Sequence, residues 1–482
     1  MRIAILPAVV AAVLSVCVPV LARELHVSPT GAPEGDGRQE RPLDLATALT
    51  SERHVKPGDT VWLSGGTYQG PFNKPASPAG TETAPIIYRA APGQRVTLTA
   101  NDTDRTVLEI QSSHVWFWGL EVTVNGKPEQ GHYGAGVSLR GGREIKLINM
   151  VVHDCPNRSG IGGSNLGSEF YGCLVYRNGQ WGHAQAHGTY TQNRPEDVGG
   201  DLAALPWKTH RDCVIFNNFG FGVHSYATAP RLANLLFEGV VAFGNGLPQG
   251  AEKPTVNFLA GGRKFDDHVI VRDCFTYFPR EGDFKRGADF GYHDQNGRLT
   301  IERSRFIGGA DAVWICRWQE ATVKSNVFFT ARGRDIVLLA PENHDPKHYR
   351  FEDNLYYRGT PGPFQFNNAP FASLEAWQRA TGLDMSSRII DSPPTEPWVF
   401  LRPNKYEPNR ALLIVYNWPG KPEVIVRLDE LWNLKPGEKF TIVNVEDIWA
   451  KPVVEATFQG EPLSVTMSGS YAPEFACYLV TK

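Results

Sequence analysis

Three stretches of the chain share one pattern: His210-Arg-Asp-Cys213-Val-Ile-Phe216, Val271-Arg-Asp-Cys274-Phe-Thr-Tyr277 and Phe351-Glu-Asp-Asn354-Leu-Tyr-Tyr357. In each stretch a small or amide residue stands in fourth place, and an apolar run follows it. Six further stretches repeat the pattern, with Gly119, Asn149, Cys173, Gly239, Ser304 and Asn326 in fourth place. Their irregular spacing of 22 to 40 residues predicts a β-solenoid with loops inserted at one corner, whereas propeller blades are longer and more even.

A second strand-like stretch follows most of these repeats at a short interval. His187-Gly-Thr-Tyr190 and Gly222-Val-His-Ser-Tyr226 are two examples, and Asn-Gly turns such as Asn178-Gly179 separate strands of this kind. When coils stack in register, equivalent positions lie about 4.8 Å apart. The column of small residues therefore predicts an inward ladder, in which Asn amides bond along the stack and thiols such as that of Cys213 pack as small apolar groups.

The stretch that opens the repeats, Pro57-Gly-Asp-Thr-Val-Trp-Leu-Ser-Gly-Gly-Thr-Tyr68, resembles the pectate-lyase-like superfamily of right-handed parallel β-helices. The resemblance covers residues 24–365 and implies an all-β fold with a right-handed parallel β-helix of about nine or ten coils. It also implies an N-terminal cap over residues 24–65. A short helix, Leu43–Leu49, would cover the open end of the core, which would otherwise be an aggregating edge. The fold does not by itself define a reaction.

Composition shifts divide the chain into four predicted segments. Arg2, the apolar run after it and the small residues Val20 and Ala22 predict a signal peptide that is cleaved after Ala22. The segments are the signal peptide at 1–22, the β-helix with its cap at 23–365, a helix and linker at 366–397, and a small antiparallel β-sandwich at 398–482. Within the third segment, Phe371–Thr381 has the pattern of an amphipathic helix. We expect the sandwich to dock onto the last coils.

Charge and hydropathy restrict the partners of this chain. The 482 residues carry a net charge of −3, which becomes more negative when Arg2 is removed with the signal peptide. A nucleic-acid-binding surface needs a basic excess, so we expect no nucleic-acid partner. No later stretch is long and apolar enough to cross a bilayer. The sequence predicts a secreted or periplasmic monomer without membrane insertion, whose partner is a polysaccharide or oligosaccharide substrate.

Polar and aromatic residues concentrate between Cys173 and Ser304, where the longest intervals place the largest loops. Alternation around an inward Thr189 predicts that Tyr190 and Gln192 point outward, and later strands repeat this arrangement. We call this predicted row of outward residues the stripe. Its predicted catalytic residues are His187, Tyr190, His224, Tyr226, Asp289, Asp311 and Arg317. Its predicted substrate-binding residues are Gln192, Asn257, Lys285, Arg286, Tyr292 and Trp314. Any one of these could be a turn residue or could simply cover the sheet, but four neighbouring coils share the pattern.

One reaction that fits the stripe is β-elimination of a uronate-containing polysaccharide. It needs a base for the C5 proton and a cation or hydrogen-bond donor that neutralises the carboxylate. His224 or Tyr190 is the candidate base, and the candidate cations are Lys285, Arg286 and Arg317. The resemblance adds calcium, which many lyases of this superfamily use. Asp283, Asp289 and Asp294 are the candidate oxygen ligands for that ion.

Glycoside hydrolysis fits the stripe as well, because outward carboxylates one or two coils apart would be about 5 or 10 Å apart, near the retaining and inverting separations. Asp289 or Asp294 would pair with Asp311. A non-catalytic glycan-binding or adhesion solenoid would carry the same aromatic residues but no titratable group with a perturbed pKa. His, Tyr, Lys and Arg outnumber convincing carboxylate pairs on the stripe, which favours a lyase.

Overall fold

The body of the protein is a parallel β-helix of three sheets with twelve strands each. A computed structural model describes residues 22–101, 106–124, 134–156, 159–181, 186–247, 255–280, 286–292, 295–357 and 362–482. The predicted signal peptide lies almost entirely outside these ranges. Each coil passes through sheet 1, then sheet 2, then sheet 3. The solenoid is longer than the predicted nine or ten coils, since each sheet has twelve strands. The difference arises because Glu24–Val27 and Thr60–Leu63, which belong to the predicted cap, are themselves strands of sheet 1.

The strands of each sheet are given in stacking order. Sheet 1 contains Glu24–Val27, Thr60–Leu63, Ile86–Ala90, Val115–Trp118, Lys146–Ile148, Glu169–Tyr171, Lys208–Arg211, Leu232–Glu238, Asp266–Arg272, Asn296–Glu302, Trp318–Lys324 and Tyr349–Glu352. Sheet 2 contains Gly66–Gln69, Val96–Ala100, Glu121–Val124, Val151–His153, Leu174–Tyr176, Val214–Phe216, Val241–Phe243, Phe275–Tyr277, Arg305–Ile307, Val327–Phe329, Leu355–Tyr357 and Arg388–Ile390. Sheet 3 contains Phe72–Lys74, Leu108–Ile110, Ala135–Leu139, Ser159–Gly163, His187–Thr191, Val223–Ser225, Val256–Ala260, Arg286–Phe290, Asp311–Cys316, Arg334–Leu339, Phe364–Phe366 and, antiparallel, Ala369–Phe371.

The turn from sheet 1 to sheet 2 holds the predicted ladder. A left-handed residue directly follows every sheet 1 strand from Val115–Trp118 onward, and the residue after it is buried in the core. The backbone N–H of Ser304 donates to Asn326 Oδ1 at 2.9 Å, and that of Asn326 donates to Asn354 Oδ1 at 3.0 Å. The predicted inward column needs a correction at Gly119, Asn149 and Gly239, which occupy the left-handed position itself, with φ of 69, 51 and 64°. The thiols of Cys173, Cys213 and Cys274 are buried and free, as the ladder predicts.

A second ladder runs along the turn from sheet 2 to sheet 3. Asn178 Nδ2 donates to Asn218 Oδ1 at 3.0 Å, and Asn218 Nδ2 donates to Asn245 Oδ1 at 2.9 Å. Asn245 Nδ2 donates in turn to Asn257 Oδ1 at 3.0 Å. Asn257 is fully buried, so its predicted place on the outward stripe is wrong. Its amide satisfies polar groups at a corner of the core, where a lost hydrogen bond would leave them uncompensated.

Both open ends of the solenoid are covered by helices. At the N-terminal end the helix is Leu45–Thr50, with Asp44 as its N-cap and its leucines buried in the core. At the C-terminal end the helix is Leu374–Thr381, which starts three residues later than predicted. Trp377 of this helix is fully buried and donates from Nε1 to Asp384 Oδ2 at 2.9 Å.

The C-terminal domain is antiparallel. One sheet contains Trp398–Pro403, Arg410–Tyr416, Phe475–Thr481, Lys439–Asn444 and Val454–Thr457, and a pair contains Glu423–Val426 and Leu463–Thr466, with a helix at Leu428–Trp432. The domain docks on the outward face of sheet 2, where Tyr277 stacks on Phe475 with centroids 4.6 Å apart. The predicted docking is confirmed, but the contacts are not limited to the last coils. They extend along the solenoid from Trp118, whose Nε1 donates to Glu407, to Tyr357, whose ring packs on Trp398.

His153 gives the β-helix a pH-dependent stability. Its ring nitrogens lie 2.9 Å from Glu121 Oε1 and 2.6 Å from Asp154 Oδ2. Burial alone would lower the pKa of His153, but the hydrogen bonds that its ring donates to the two carboxylates outweigh burial and raise that pKa. Protonated His153 therefore contributes stability that is complete below pH 6.5 and is lost as the pH rises through its folded-state pKa.

We expect the difference in melting temperature between the wild type and His153→Gln to shrink as the pH rises from 6 toward 9. Thermal unfolding monitored by circular dichroism at several pH values tests this. A difference that stayed constant, or grew, over this range would contradict the assigned charge state.

Candidate active site

The outward face of sheet 3 carries the stripe. The register pairs Tyr190 with Gly162 on one side and with His224 on the other. The intervening residues Thr189 and Val223 are buried, as alternation predicts, so the outward orientation of Tyr190 and His224 is confirmed. On the next strand Leu259 takes the corresponding outward place.

Four predicted catalytic residues form one cluster on two neighbouring strands. The ring of His224 lies at its centre, with centroid distances of 4.1 Å to His187 and 5.1 Å to both Tyr190 and Tyr226. Phe221 stacks on the same imidazole at 4.6 Å. His224 is only 7% exposed, and Tyr190 is half-buried. The cluster therefore presents its Tyr190 side to solvent and keeps the imidazole rings behind it.

A hydrogen-bonded chain orients the phenol of Tyr190. Gln192 Nε2 donates to Tyr190 Oη at 3.3 Å and to the carbonyl of Tyr226 at 2.8 Å. Arg194 Nε donates to Gln192 Oε1 at 2.7 Å, which fixes the amide in this direction. Burial raises the pKa of Tyr226, and Arg263 partly offsets that rise. Tyr226 is thus held as a neutral phenol, and Tyr292 packs edge-on against it at 5.6 Å.

A groove of about 310 Å³ opens beside Tyr190. Its floor is made of small residues, among them Ser138 and Gly162 in the same outward column as Tyr190. A Cβ built on Gly162 would meet no atom closer than 3.7 Å, so the space above it is open. Arg140 and Arg194 supply the charge, and none of the described residues that line the groove carries a carboxylate. Such a concave surface favours an anionic ligand.

The two arginines differ in their partners. Arg140 lies 3.6 Å from Glu109, which is in the strand before the groove. Arg194 donates its side-chain hydrogen bond to the neutral amide of Gln192, so its charge is the less compensated of the two. Sequence reasoning missed both residues. The register places Leu139, Gly163 and Thr191 side by side, so extending the alternation two coils back from Gln192 would have found Arg140.

The predicted carboxylates form a separate cluster, about 14 Å or more along the stack from Tyr190, since three strand spacings separate Tyr190 from Asp289. Asp289 pairs with Arg286 at 2.8 Å and is 3% exposed, and burial raises its pKa to about 7. Asp311 accepts from Trp314 Nε1 at 2.7 Å and pairs with an arginine of the next strand. Each of these carboxylates is thus paired with an arginine.

Among the described residues, Arg317 is the predicted catalytic residue that joins neither cluster. Arg317 is exposed in a left-handed conformation, with φ of 57°, at the corner after its strand, so it does not lie on the stripe as predicted. Lys285, Asp283 and Asp294 lie outside the described residues. Within the described ranges no three His, Cys, Asp or Glu residues converge as metal ligands. Asp289, the described member of the predicted calcium set, is already paired with a cation and does not fit a calcium ligand.

Three comparisons relate this chain to known proteins. The sequence profile described as "Pel9A-like, right handed beta helix region" matches residues 25–280, more than half of the chain. Pectate lyase PEL9 of Emericella nidulans is 30% identical over 122 residues, which cover 22% of this chain and 29% of that protein. The chain thus matches less than a third of the length of that relative. No helix in the described part of the chain is long and apolar enough to span a membrane.

Solved structures share the architecture. A rhamnogalacturonan lyase superposes with a TM-score of 0.52 at 16% identity, covering 77% of this chain and 90% of that one. Pectate lyase Pel9A gives a TM-score of 0.44 at 15% identity, with 77% of this chain and 78% of that one covered. At these identities the likeness to the rhamnogalacturonan lyase establishes a common fold.

Proposed function

The chain belongs to the Pel9A-like right-handed β-helix family, and on that premise we propose that it is an exported polysaccharide lyase that cleaves a uronate-containing glycan by β-elimination in the groove beside Tyr190. The names of its relatives, pectate lyase and rhamnogalacturonan lyase, support a carbohydrate-active enzyme. The observation that carries the lyase reaction is the groove itself, where an oriented phenol meets arginines and no lining carboxylate.

The groove supplies both requirements of β-elimination. Arg194 neutralises the negative charge of a uronate carboxylate that binds it. The carboxylate then no longer repels the negative charge that develops at C5, so the C5 proton becomes more acidic. Tyr190 Oη, which lines the groove, takes that proton in its phenolate form. The electrons of the C5–H bond then form the C4=C5 double bond, the C4–O4 bond breaks, and the leaving oxygen takes the proton back from Tyr190 Oη, which restores the phenolate. His224, stacked on the phenol, is a positioning residue for Tyr190.

The experiment that tests this proposal follows ultraviolet absorbance of unsaturated uronate and reducing ends together, over a panel of acidic and neutral polysaccharides. Both signals rising on an acidic glycan is the expected result. Reducing ends without absorbance would identify a glycoside hydrolase, the second candidate function. Burial raises the pKa of Asp289 to about 7, and a carboxyl that is still protonated near neutral pH can act as a general acid. Loss of that activity in Asp289→Asn would then identify the acid. Binding without either signal would leave the non-catalytic adhesion function.

Removing the charge of Arg194 is expected to weaken productive binding. In Arg194→Ala, kcat/KM on an acidic polysaccharide should fall by about 10- to 100-fold at low salt, because a charge-assisted hydrogen bond contributes about 1.5–3 kcal/mol. The loss should be smaller at high salt, where charges are screened. Arg350→Ala, an exposed arginine at the far end of sheet 1, is the matched control and should change nothing. Equal kcat/KM in Arg194→Ala and wild type would remove Arg194 from the site.

Filling the groove is expected to block it. Gly162→Phe should raise KM by at least about tenfold, since its ring would occupy the space above the floor, and a tenfold change corresponds to 1.4 kcal/mol. Gly162→Ala is the control, because its methyl group has only ordinary contacts and should leave both KM and the melting temperature close to wild type. Steady-state kinetics of the two variants check this. Full activity in Gly162→Phe would place the substrate elsewhere.

A further inference from the structure

A second cavity, of about 510 Å³, opens on sheet 1 around the corner from the groove. We call it the sheet 1 pocket. Trp116 and Lys146, paired on neighbouring strands, form its floor. Glu82, His114, Arg143 and Glu144 form its rim. The pocket and the groove share one turn of the chain, because Arg140 lines the groove and Arg143, three residues later, lines the pocket.

The rim residues offer unused hydrogen-bonding capacity. Among the residues that the structure describes, the side chains of Glu82, Arg143 and Glu144 have no hydrogen-bond or ion-pair partner. His114 and Glu144 occupy equivalent turn positions in adjacent coils and are both left-handed, with φ of 52 and 55°. The equivalent residue of the next coil, Gly167, is left-handed too, so this conformation belongs to the turn that leads into sheet 1. The turn places His114 and Glu144 next to each other in the lining of the pocket.

Charge separates the two cavities. The groove has two arginines and no lining carboxylate, whereas the sheet 1 pocket has two carboxylates, Glu82 and Glu144, and two cations, Arg143 and Lys146. Lys146 is already paired with Glu169 at 3.1 Å. Burial raises the pKa of Glu144, which shows that its charge is partly desolvated. Carboxylates accept hydrogen bonds from hydroxyl groups and repel other carboxylates. The indole of Trp116 adds apolar area to the pocket lining, and Lys146 Nζ lies over one part of it, 4.5 Å from the ring centroid.

We propose that the sheet 1 pocket binds a neutral glycosyl residue, rich in hydroxyl groups and without a carboxylate. The proposal goes beyond the proposed function, because it concerns a non-catalytic site on another sheet. The neutral residue has two conceivable sources, a branch on the acidic polymer in the groove or a separate neutral polysaccharide. Both present the same chemistry to Trp116 and Glu144.

The first experiment measures binding to the full-length protein without any turnover. Methyl β-galactopyranoside and the matching methyl galactopyranosiduronic acid are titrated and followed by saturation-transfer NMR. We expect the neutral glycoside to bind, and Trp116→Ala and Glu144→Gln each to weaken it by at least about tenfold. Glu144→Gln removes only the charge, so it also tests the site should Trp116→Ala lose its fold. Trp449→Ala, a half-exposed tryptophan on the C-terminal domain, should bind as wild type does.

Three results would overturn the proposal: no binding of the neutral glycoside, equal binding in all variants, or tighter binding of the acid in this pocket. Because no reaction is monitored, failure of the lyase assignment leaves this test intact. A second experiment separates the sources by comparing a branched acidic polymer with the same polymer stripped of its neutral branches. A KM that Trp116→Ala raises only for the branched polymer identifies a branch. An unchanged KM with lost binding to a neutral polymer identifies a separate chain.

Discussion

Replacing Tyr190 by phenylalanine is expected to lower kcat for β-elimination by about 10²- to 10⁴-fold, the range contributed by a positioned general acid or base. The substitution removes one hydroxyl group and keeps the ring that stacks on His224 with centroids 5.1 Å apart. The phenol accepts a hydrogen bond from Gln192, and losing one such bond changes the free energy of unfolding by about 1 kcal/mol. Initial rates at saturating substrate, with a denaturation curve for each protein, measure both quantities.

The matched control is Tyr226→Phe. Tyr226 stacks on the same imidazole with centroids 5.1 Å apart but does not line the groove, so its variant should keep kcat within a few-fold. His224→Ala should lose turnover with intact folding, and His224→Gln should shift the pH–rate profile, as expected of a residue that acts through Tyr190. A Tyr190→Phe enzyme with more than a tenth of the wild-type kcat would show that another group moves the C5 proton.

Trp377→Ala is expected to lower the free energy of unfolding by about 3–5 kcal/mol, the usual cost of deleting a buried aromatic side chain. Trp377 covers the last coil, where its ring packs on Phe364, with centroids 5.4 Å apart, and on Phe351. Its N–H also satisfies Asp384, which in turn accepts from the ladder residue Asn354 at 3.0 Å. The variant therefore opens the core and leaves a buried carboxyl with fewer donors. Urea denaturation monitored by circular dichroism measures the loss.

Trp377→Phe separates the two contributions, since it removes the N–H donor and keeps most of the apolar contact. We expect it to cost about 1–3 kcal/mol, the penalty for a buried acceptor that loses a partner. Both variants should retain elimination activity under native conditions, because the groove lies several coils away on sheet 3. A loss below about 1 kcal/mol in Trp377→Ala would show that the end of the solenoid is stable without its cover.

The repeats predicted the fold because stacked coils impose the same demand on equivalent residues, and Tyr190 and His224 could be placed by alternation alone. The predictions failed where one residue type satisfies two positions. Gly119 and Asn149 suit a left-handed turn as well as an inward ladder, so the alignment slipped by one residue. Asn257 is the second residue of its strand and lies at the corner of the core, where its side chain accepts a hydrogen bond from the ladder residue Asn245. Only the hydrogen-bonded register resolves such cases.

The groove was harder to predict than the aromatic cluster. Its floor at Gly162 is open because this residue has no side chain. A glycine in a sequence does not by itself show that a groove lies above it. The salt bridges of Asp289 and Asp311 were also hidden, since their arginine partners come from the same or the next strand and could equally have pointed to solvent. Whether such a carboxylate is structural or catalytic depends on its ion-pair partners, which the sequence does not show.

Docking of the C-terminal domain along sheet 2 changes how the solenoid can unfold. In an isolated solenoid each coil touches only its neighbours, so separate regions can melt independently. Here one domain contacts Trp118 near one end, Tyr277 in the middle through Glu474, and Tyr357 near the other end. No coil in that span can open without breaking contacts that also hold distant coils. The domain thus couples a row of locally stable coils into one cooperative unit.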